Sequence, residues 1–213
     1  MIEVGIIDYG MGNLNSVQKS VERQNVHCAL ITKPEEVLAS EKLILPGVGA
    51  FEDAIRFLKA SGLVEPMLEK IKAGTPFLGI CLGMQMLFDK SWENGEFEGL
   101  GLFHGEVRRF QFTEAQREAA GEKLSIPHMG WNQVTVEQPD HPFWKGVEPG
   151  THFYFVHSYH VVPTEPECVA TKTTYGYEFC SAVTRENLVG TQFHPEKSQG
   201  NGARLLENFV KRM

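Results

Sequence analysis

The sequence predicts an α/β fold in which a mostly parallel central sheet is flanked by helices and carries an antiparallel extension. In roughly the first ninety residues, short β-branched runs alternate with segments of helical spacing, which is typical of parallel strands joined by crossover helices. Residues 97–193 carry strand-like runs too closely spaced for such crossovers. With 213 residues and 42% hydrophobic content, we expect one domain, 1–213, with a substantial core.

The parallel part of the sheet is predicted to contain four strands and three crossover helices. Each helix has apolar residues on one face, such as Val17 and Val21 in the first and Ala54 and Leu58 in the second. The strands are predicted at 2–7, 27–31, 42–45 and 76–80, and the helices at 14–24, 50–60 and 63–73.

The second half of the chain predicts the antiparallel extension and a closing helix at 202–211, with Leu205, Leu206 and Phe209 buried. A polar insert at 111–125 contains Thr113 and Gln116 at the spacing of a capping box, which favours a short exposed helix over a disordered linker. The strands are predicted at 131–136, 152–162, 168–174, 179–184 and 188–193.

Charge and composition exclude several classes of function. A net charge of −7 and a pI near 5.6 disfavour binding to nucleic acid or to an anionic membrane surface. The sequence shows no long apolar span and no signal-peptide pattern, so we expect a cytoplasmic protein. The four cysteines form no CxxC pair, which argues against a zinc site or a disulfide framework, and each is judged by its own surroundings.

The segment from Pro76 to Phe88 runs from an apolar strand through Gly79-Ile-Cys81-Leu-Gly83 into an expected amphipathic helix. This is the pattern of a nucleophile elbow with a thiol as the nucleophile. Glycines two residues to either side remove Cβ atoms that would collide across such a strained turn. The start of a helix also favours the thiolate, because that end of the helix dipole is positive. Cys81 is therefore predicted to be a nucleophile rather than a small buried apolar residue.

A thiol nucleophile needs a base, and the base needs a carboxylate to orient it. His194 and Glu196 follow the strand predicted at 188–193 and are joined by Pro195, whose fixed φ limits their movement. A single histidine is more often a structural residue, but this turn together with the cysteine elbow makes chance a poor explanation. His194 and Glu196 are the predicted base and its orienting group.

The oxyanion of a tetrahedral intermediate needs N–H donors that are already in place. The backbone N–H of Leu82, directly after the nucleophile, is the first candidate. The second is expected from the loop Pro46-Gly-Val48-Gly49, because its glycines let the backbone approach or flip. Taken alone, such a loop is weak evidence, since similar sequences are usually simple turns.

Two other kinds of site are disfavoured. The run Gly10-Met-Gly-Asn-Leu-Asn15 lacks the third glycine of a dinucleotide-binding fingerprint, so we expect no cofactor. His152, His157 and His160 lie on one extended segment without carboxylate neighbours, so we expect no metal site and assign these histidines to packing or hydrogen bonding.

Several segments spread along the whole chain resemble the class I, triad-type glutamine amidotransferases, and within them the glutaminase subunits of imidazole glycerol phosphate synthases. Val48 supports the narrower resemblance, because amidotransferases of other pathways usually have Pro or Gly at this position. The polar insert departs from the family pattern but leaves every motif intact, although the surface beside Trp131 is expected to be altered. The segments that carry the resemblance are 8–17, 45–51, 127–132, 154–159 and 194–198.

The resemblance implies particular roles for site residues. The triad would be Cys81, His194 and Glu196. Gln85 lies four residues after Cys81 and so on the same helix face, which also favours a role in the site over that of an ordinary polar helix residue. The residues that would hold the glutamine substrate are Gly49, Gln85, Ser158 and Tyr159.

The resemblance also implies a partner. Glutamine would be hydrolysed to glutamate and ammonia, and the ammonia would pass to a (βα)8-barrel cyclase in a heterodimer. That cyclase converts a phosphoribosyl-formimino intermediate into imidazole glycerol phosphate and aminoimidazole carboxamide ribotide in histidine biosynthesis. The motifs extend from residue 8 to residue 198, which leaves too little of this chain for the acceptor site.

Partner contacts are expected at Asn13, Asn15, Trp131 and Lys197, although Trp131 as a core residue and Lys197 as a solvated charge are alternatives. Two alternative functions also stay open. One is the glutaminase component of another synthase, of the anthranilate, aminodeoxychorismate or pyridoxal phosphate type. The other is a catalytically silent interaction subunit. A thiol peptidase or an unrelated hydrolase of similar sheet architecture is disfavoured, because the sequence shows no peptide-binding signature.

Overall fold

A computed structural model describes residues 2–121 and 123–213, so Met1 and Glu122, the latter within the polar insert, lie outside the described residues. The α-helices are α1 (Leu14–Glu22), α2 (Pro34–Leu38), α3 (Phe51–Ala60), α4 (Val64–Lys72), α5 (Leu82–Gln85), α6 (Glu114–Ala119) and α7 (Gln199–Arg212). The strands are β1 (Ile2–Ile7), β2 (Cys28–Ile31), β3 (Ser40–Gly47), β4 (Phe77–Cys81), β5 (Phe88–Ser91), β6 (Phe97–Glu98), β7 (Phe103–Arg109), β8 (His128–Val136), β9 (Thr151–His157), β10 (Tyr159–Pro163), β11 (Val169–Tyr175), β12 (Tyr177–Arg185) and β13 (Leu188–Thr191).

The central sheet, within the described ranges, has nine strands in the order β2-β1-β3-β4-β13-β12-β11-β8-β9. In this order, the adjacent strands β2, β1, β3, β4 and β13 pair in parallel. Neighbours from β13 to β9 are antiparallel. The predicted fold class, a mostly parallel sheet with an antiparallel extension, is therefore confirmed.

The core has two layers, one on each face of the central sheet. Successive residues of β3 show this, because Leu43 and Leu45 join one buried cluster and Ile44 joins the other. Apolar residues of α3 and α4 belong to the first cluster, and those of α1 and α7 to the second. Helices on both faces force adjacent loops to the ends of the strands, where the site lies. Among the described residues, none of the helices combines the length and the apolar character needed to cross a membrane.

Most predicted elements match the structure, with small shifts at their ends. The predicted helices at 14–24, 50–60, 63–73 and 202–211 correspond to α1, α3, α4 and α7. The capping box in the polar insert is present at the start of α6. The Thr113 hydroxyl accepts from the Gln116 N–H at 3.2 Å, and Gln116 Oε1 accepts from the Thr113 N–H at 2.9 Å.

The prediction of one strand over 152–162 is wrong. The chain breaks at Ser158 into β9, which pairs with β8, and β10, which pairs with β7 in a separate sheet of order β10-β7-β5-β6. The sequence analysis did not identify this second sheet. Because β7 is available as a new pairing partner, the chain leaves the central sheet at Ser158, one of the predicted site residues.

The prediction of an amphipathic helix after Cys81 is also wrong. The helix α5 has only four residues, all buried, and the chain enters β5 three residues later. A single turn surrounded by core offers no solvent face, so its apolar residues cannot show the one-sided pattern of a surface helix. The helix dipole behind Cys81 is correspondingly short, and its effect on the sulfur is smaller than a longer helix would give.

Candidate active site

Cys81 ends β4 with φ of 55° and ψ of −111°. Such a conformation at a non-glycine residue costs on the order of 1–3 kcal/mol and persists only where the surroundings enforce it. A Cβ atom at Gly79 would lie 2.9 Å from the carbonyl oxygen of Gly83, across the turn as predicted. A Cβ atom at Gly83 would instead lie 1.9 Å from the carbonyl oxygen of Leu45, on β3. Gly79 therefore lets the turn close on itself, and Gly83 lets it pack against β3, so the surroundings hold Cys81 in its strained conformation.

His194 and Glu196 form a buried pair beside Cys81. The distance between His194 Nδ1 and Glu196 Oε1 is 2.8 Å, and the two side chains are 2% and 1% exposed. Nδ1 donates to the carboxylate, so Nε2 is left to exchange a proton with the thiol. Among the described residues Nε2 makes no hydrogen bond of good geometry, yet Cys81 lies near enough to perturb the ring. Catalytic hydrogen bonds often become short and aligned only when substrate binds.

The protonation of His194 reflects opposing effects. Burial by itself lowers the pKa of the imidazole, but the Cys81 sulfur and the Glu196 carboxylate outweigh burial and raise the pKa to about 10. The Glu196 carboxylate and the sulfur both favour the imidazolium ion. The ring is therefore well suited to take a proton from the thiol and to hold it until a leaving group accepts it.

The turn that carries His194 is held by neighbouring backbone and by Ser198. The His194 N–H donates to the Tyr154 carbonyl at 2.9 Å. The Ser198 hydroxyl donates to the His194 carbonyl at 2.6 Å and accepts from the Tyr154 N–H at 2.9 Å. These bonds tie the turn to β9, so the imidazole is placed by the antiparallel extension and the thiol by the parallel strands.

One cavity of about 290 Å³ brings most of the predicted site residues together. Val48 and Gly49 lie on its exposed side, and Gly49 has φ of +97°, a conformation that favours glycine. Leu82 and Gln85 lie on its buried side. The predicted residues that line this catalytic cavity are Val48, Gly49, Cys81, Leu82, Gln85, Ser158, Tyr159, His194 and Lys197.

Two residues that the sequence analysis missed also belong to this region. Glu93 lines the cavity, burial raises the pKa of its carboxyl group, and Oε2 accepts from the Phe51 N–H at 2.9 Å. Gln192 Nε2 lies 3.6 Å from Cys81 Sγ and donates towards it. The spacing of Gln192 and His194, two residues apart on an extended segment, places both on one side and could have indicated Gln192. Nothing local marks Glu93, which reaches the cavity through a loop after β5.

The predicted partner residues fall into two groups. Trp131 is 46% exposed, so the alternative that it belongs to the core is wrong. Its ring and the Lys197 ammonium both contact the ring of Tyr154, at 6.1 and 5.9 Å from its centroid. Asn13 immediately precedes α1, and Asn15 is exposed on that helix. Both follow the loop that contains Met11, whose side chain approaches Gly49.

A second space of about 480 Å³, here called the outer cleft, adjoins the catalytic cavity, and Pro127 lines both. Met129, 62% exposed, and Trp131 give the outer cleft an apolar character. Lys123 and Ser125 also line it, so the end of the polar insert contributes to the surface beside Trp131.

Comparison with known proteins assigns the family. Residues 5–213 match the family described as glutamine amidotransferase class-I. The chain belongs to the class I glutamine amidotransferases. This amidotransferase is 49% identical over 209 residues to the imidazole glycerol phosphate synthase subunit HisH of Geobacter sulfurreducens, covering 98% of each chain. It is 50% identical over 207 residues to the protein of the same name from Rhodopirellula baltica, covering 97% of this chain and 96% of that one.

Solved structures show the same fold for the amidotransferase. A crystal structure of a glutamine amidotransferase aligns over 97% of this chain and 96% of its own, with a TM-score of 0.72 and 18% identity. The structure of PurLQS from Thermotoga maritima aligns over 98% of this chain and 97% of that one, also with a TM-score of 0.72, at 17% identity. Within this fold, the geometry of the chain itself places a strained thiol near an imidazole that is hydrogen-bonded to a carboxylate, an arrangement suited to attack on a carbonyl carbon.

Proposed function

We propose that this chain is the glutaminase subunit of an imidazole glycerol phosphate synthase and uses a triad of Cys81, His194 and Glu196. The observation that carries the proposal is the Cys81 thiol, at φ of 55°, in one cavity with His194, whose Nδ1 lies 2.8 Å from the Glu196 carboxylate. The near full-length similarity to proteins of that name supports the narrower part. The proposed unit of function is the single domain 1–213.

In the proposed reaction, the Cys81 sulfur attacks the carboxamide carbon of L-glutamine while His194 takes the thiol proton. The protonated imidazole then gives its proton to the leaving nitrogen, which releases ammonia and leaves a γ-glutamyl thioester. Water activated by His194 hydrolyses the thioester to glutamate and restores the thiol. Glu196 keeps Nδ1 oriented and stabilises the charged ring in both half-reactions.

The oxyanion is proposed to bind between two backbone segments. Leu82 is the first residue of α5, so its N–H has no carbonyl partner inside the helix and is available to an oxygen bound above Cys81. Val48 and Gly49 line the same cavity and are proposed to supply the second donor. One such donor contributes about 3 kcal/mol to transition-state stabilisation in comparable hydrolases.

Recognition of the amino acid is proposed to use both ends of the cavity. The Gln85 amide nitrogen already donates to the Tyr159 carbonyl and to Gln192 Oε1, both at 3.0 Å, so only its oxygen is available to a ligand. Ser158 and Tyr159 form the wall where β9 ends and β10 begins. The half-buried carboxylate of Glu93 lines the cavity and is the proposed partner of the α-ammonium group of glutamine, because hydrogen bonds between opposite charges are strong.

The proposed partner is a (βα)8-barrel cyclase seated over the outer cleft in a heterodimer. Near pH 7 free ammonia in water is mostly ammonium, which has no lone pair for attack, so the product must pass directly to an acceptor site. Exposed apolar side chains beside the cavity mouth favour a protein partner, since interfaces concentrate aromatic residues and methionine. Trp131, Lys197, Asn13 and Asn15 are its proposed contacts. We propose the cytoplasm as the compartment, where thiols stay reduced.

Labelling with a glutamine-like electrophile tests the nucleophile. The label is expected on Cys81 alone and is expected to be blocked by glutamine. Burial raises the pKa of Cys28 to about 12 and that of Cys168 to about 11, so both thiols stay protonated and unreactive. Cys81→Ala should abolish labelling and glutaminase activity, and Cys28→Ala should retain both. Labelling of another cysteine, or activity in Cys81→Ala, would contradict the triad.

The identity of the synthase is tested by co-purification with a barrel cyclase. Glutamate release should rise when the cyclase and its phosphoribosyl ligand are added, because hydrolysis without an acceptor wastes nitrogen. Equal rates with and without the cyclase would argue against this assignment and favour another synthase.

A further inference from the structure

A continuous series of hydrogen bonds leads from the outer cleft into the protein. Asn132, which lines the cleft, donates from Nδ2 to Nε2 of His128 at 3.2 Å. Nδ1 of His128 lies 3.0 Å from Nε2 of His157, and Nδ1 of His157 lies 2.8 Å from the Tyr159 carbonyl oxygen. His157 lines the catalytic cavity. The two histidines therefore span the distance between the outer cleft and the catalytic cavity.

The series continues from the Tyr159 carbonyl to the nucleophile. Gln85 Nε2 donates to this carbonyl and to Gln192 Oε1, each at 3.0 Å. Gln192 Nε2 donates to Cys81 Sγ at 3.6 Å, within the usual range for a sulfur acceptor. The position of the amide that faces the sulfur thus depends on a carbonyl that His157 also holds.

The donor and the acceptor of each bond between Asn132 and the Tyr159 carbonyl can be deduced separately from either end of the series. At the outer end, Asn132 Oδ1 accepts from the Gln133 N–H at 2.8 Å, which identifies the other amide atom, the one facing His128, as the nitrogen Nδ2. Because Nδ2 is a donor, His128 Nε2 must accept from it and carries no proton. At the inner end, the Tyr159 carbonyl can only accept, so His157 carries its proton on Nδ1 and accepts at Nε2. Both assignments require His128 to donate from Nδ1 to His157. The two independent deductions agree.

The series works only if each ring carries one proton. His128 is 3% exposed and His157 is 6% exposed. Burial lowers the pKa of His128 to about 4 and holds the pKa of His157 well below its usual value. Both rings are therefore neutral near pH 7. Packing alone does not explain them, because the stacking of His128 between Tyr175 and Phe155 could be made by an apolar ring.

We propose that His128 and His157 are positioning residues that couple occupancy of the outer cleft by the partner subunit to the placement of Gln192 beside the Cys81 sulfur. A partner that displaces Asn132 or β8 would move His128. Because His128 is bonded to His157, that movement would be passed to the Tyr159 carbonyl and from there to Gln85 and Gln192. The inference rests on the proposed function, because it requires a partner at the cleft.

The test measures glutamate release by the full chain, alone and with saturating cyclase and phosphoribosyl ligand, and takes the ratio of the two kcat values. His128→Phe keeps the stacking and removes both hydrogen bonds, so the ratio should fall about tenfold, the size of a typical coupling between sites. The fall should lie in the stimulated kcat and not in KM for glutamine. A purely structural defect would instead lower the rates with and without partner in proportion.

His160→Phe is the matched control. His160 is 6% exposed in the same aromatic cluster and hydrogen-bonds the Tyr177 hydroxyl at 2.9 Å, outside the series. It should keep the wild-type ratio. If His128→Phe does not fold, Asn132→Ala, at a half-buried residue, removes the outermost bond and should also lower the ratio. It removes as well the bond from Asn132 Nδ2 to the Thr174 carbonyl, at 2.9 Å, and the one that Oδ1 accepts from the Gln133 N–H, both outside the series.

The outcomes separate the two proposals. A wild-type ratio in a folded His128→Phe or Asn132→Ala chain overturns the coupling and leaves the glutaminase assignment standing. No stimulation of the wild-type chain overturns both. Nitrogen NMR of labelled histidines, assigned with the same variants, should find the Nδ1–H tautomer at His128 and His157, and an Nε2–H tautomer at either residue would overturn the series.

Discussion

Replacement of Gly202 by alanine should displace the turn that carries the proposed base. Gly202 lies in the first turn of α7, where a Cβ atom would stand 1.8 Å from the Pro195 carbonyl oxygen and 2.9 Å from Ser198 Cβ. Pro195 lies between His194 and Glu196 in the chain. The atom struck is backbone, so rotation of a flexible side chain cannot relieve the contact.

The expected loss of stability and rate follows from the distance between the added Cβ atom and the Pro195 carbonyl oxygen. Ordinary contact begins near 3.4 Å, so the carbonyl has to retreat by roughly 1.5 Å. Overpacking of this kind costs up to about 3 kcal/mol, which corresponds to a fall in Tm of about 6–12 °C for a chain of this size. Misplacement of a catalytic group by about 1 Å costs roughly 100-fold in rate. We therefore expect kcat for glutamine to fall by about two orders of magnitude in Gly202→Ala.

Gly200→Ala is the matched control, two residues earlier on the same helix. Nothing lies within 4 Å of a Cβ atom at Gly200, and the residue is exposed. Alanine there should stabilise the chain by about 0.5–1 kcal/mol, because it restricts the unfolded state and has the higher helix propensity. Both variants are compared by thermal unfolding and by glutaminase assay with saturating cyclase.

Equal Tm and kcat within twofold of the wild type in Gly202→Ala would refute the reasoning, because the helix would then move away without disturbing the turn. A comparable loss in Gly200→Ala would also refute it, since that variant meets no atom.

Three further predictions concern single groups of the site. Glu93→Gln should raise KM for glutamine about 10- to 100-fold with little change in kcat, because Gln still accepts from the Phe51 N–H but cannot pair with an ammonium group; an unchanged KM would exclude this role. Glu196→Gln should lower kcat by about 100-fold or more and shift the pH profile, because the pKa of His194 loses one of the groups that raise it; a wild-type profile would contradict the pairing. The pKa of His128 is lowered to about 4 from 6.5, so below pH 6.5 the unfolded chain binds a proton that the folded chain rejects, and stability should fall between pH 6.5 and about 4. Urea unfolding at pH 7.5 and pH 5 should show a smaller loss in His128→Phe, and an equal loss would exclude His128 as the cause.

The parallel half of the fold could be predicted from the sequence because each of its signals is local. The continuous apolar run of β3, which is buried on both faces, and the apolar faces of α1, α3 and α4 follow from residues within a few positions of one another. The break at Ser158 could not be predicted in this way. Residues 151–163 are continuous in strand propensity, and only the availability of β7 as a partner divides them between two sheets.

The same distinction between local and long-range signals applies to the residues of the site. The elbow at Cys81 was predictable because the strain and its relief by Gly79 lie within three residues. The role of Gly83 was predicted for a different reason from the one found, since its close contact is with Leu45 on another strand. Glu93 was missed because a carboxylate on a loop is common, and only its position in the cavity, half-buried and bonded to the Phe51 N–H, distinguishes it.

By itself, the sequence determined the family, the thiol at a strained turn, and a histidine and carboxylate held by one proline, because each depends on residues close together in the chain. Only the tertiary structure decided which side chains meet. The distance from Gln192 to the Cys81 sulfur and the pairing of His128 with His157 arise from the packing of separate strands. The spacing of residues along the chain does not encode such contacts, because they depend on where distant strands lie after the whole sheet has formed.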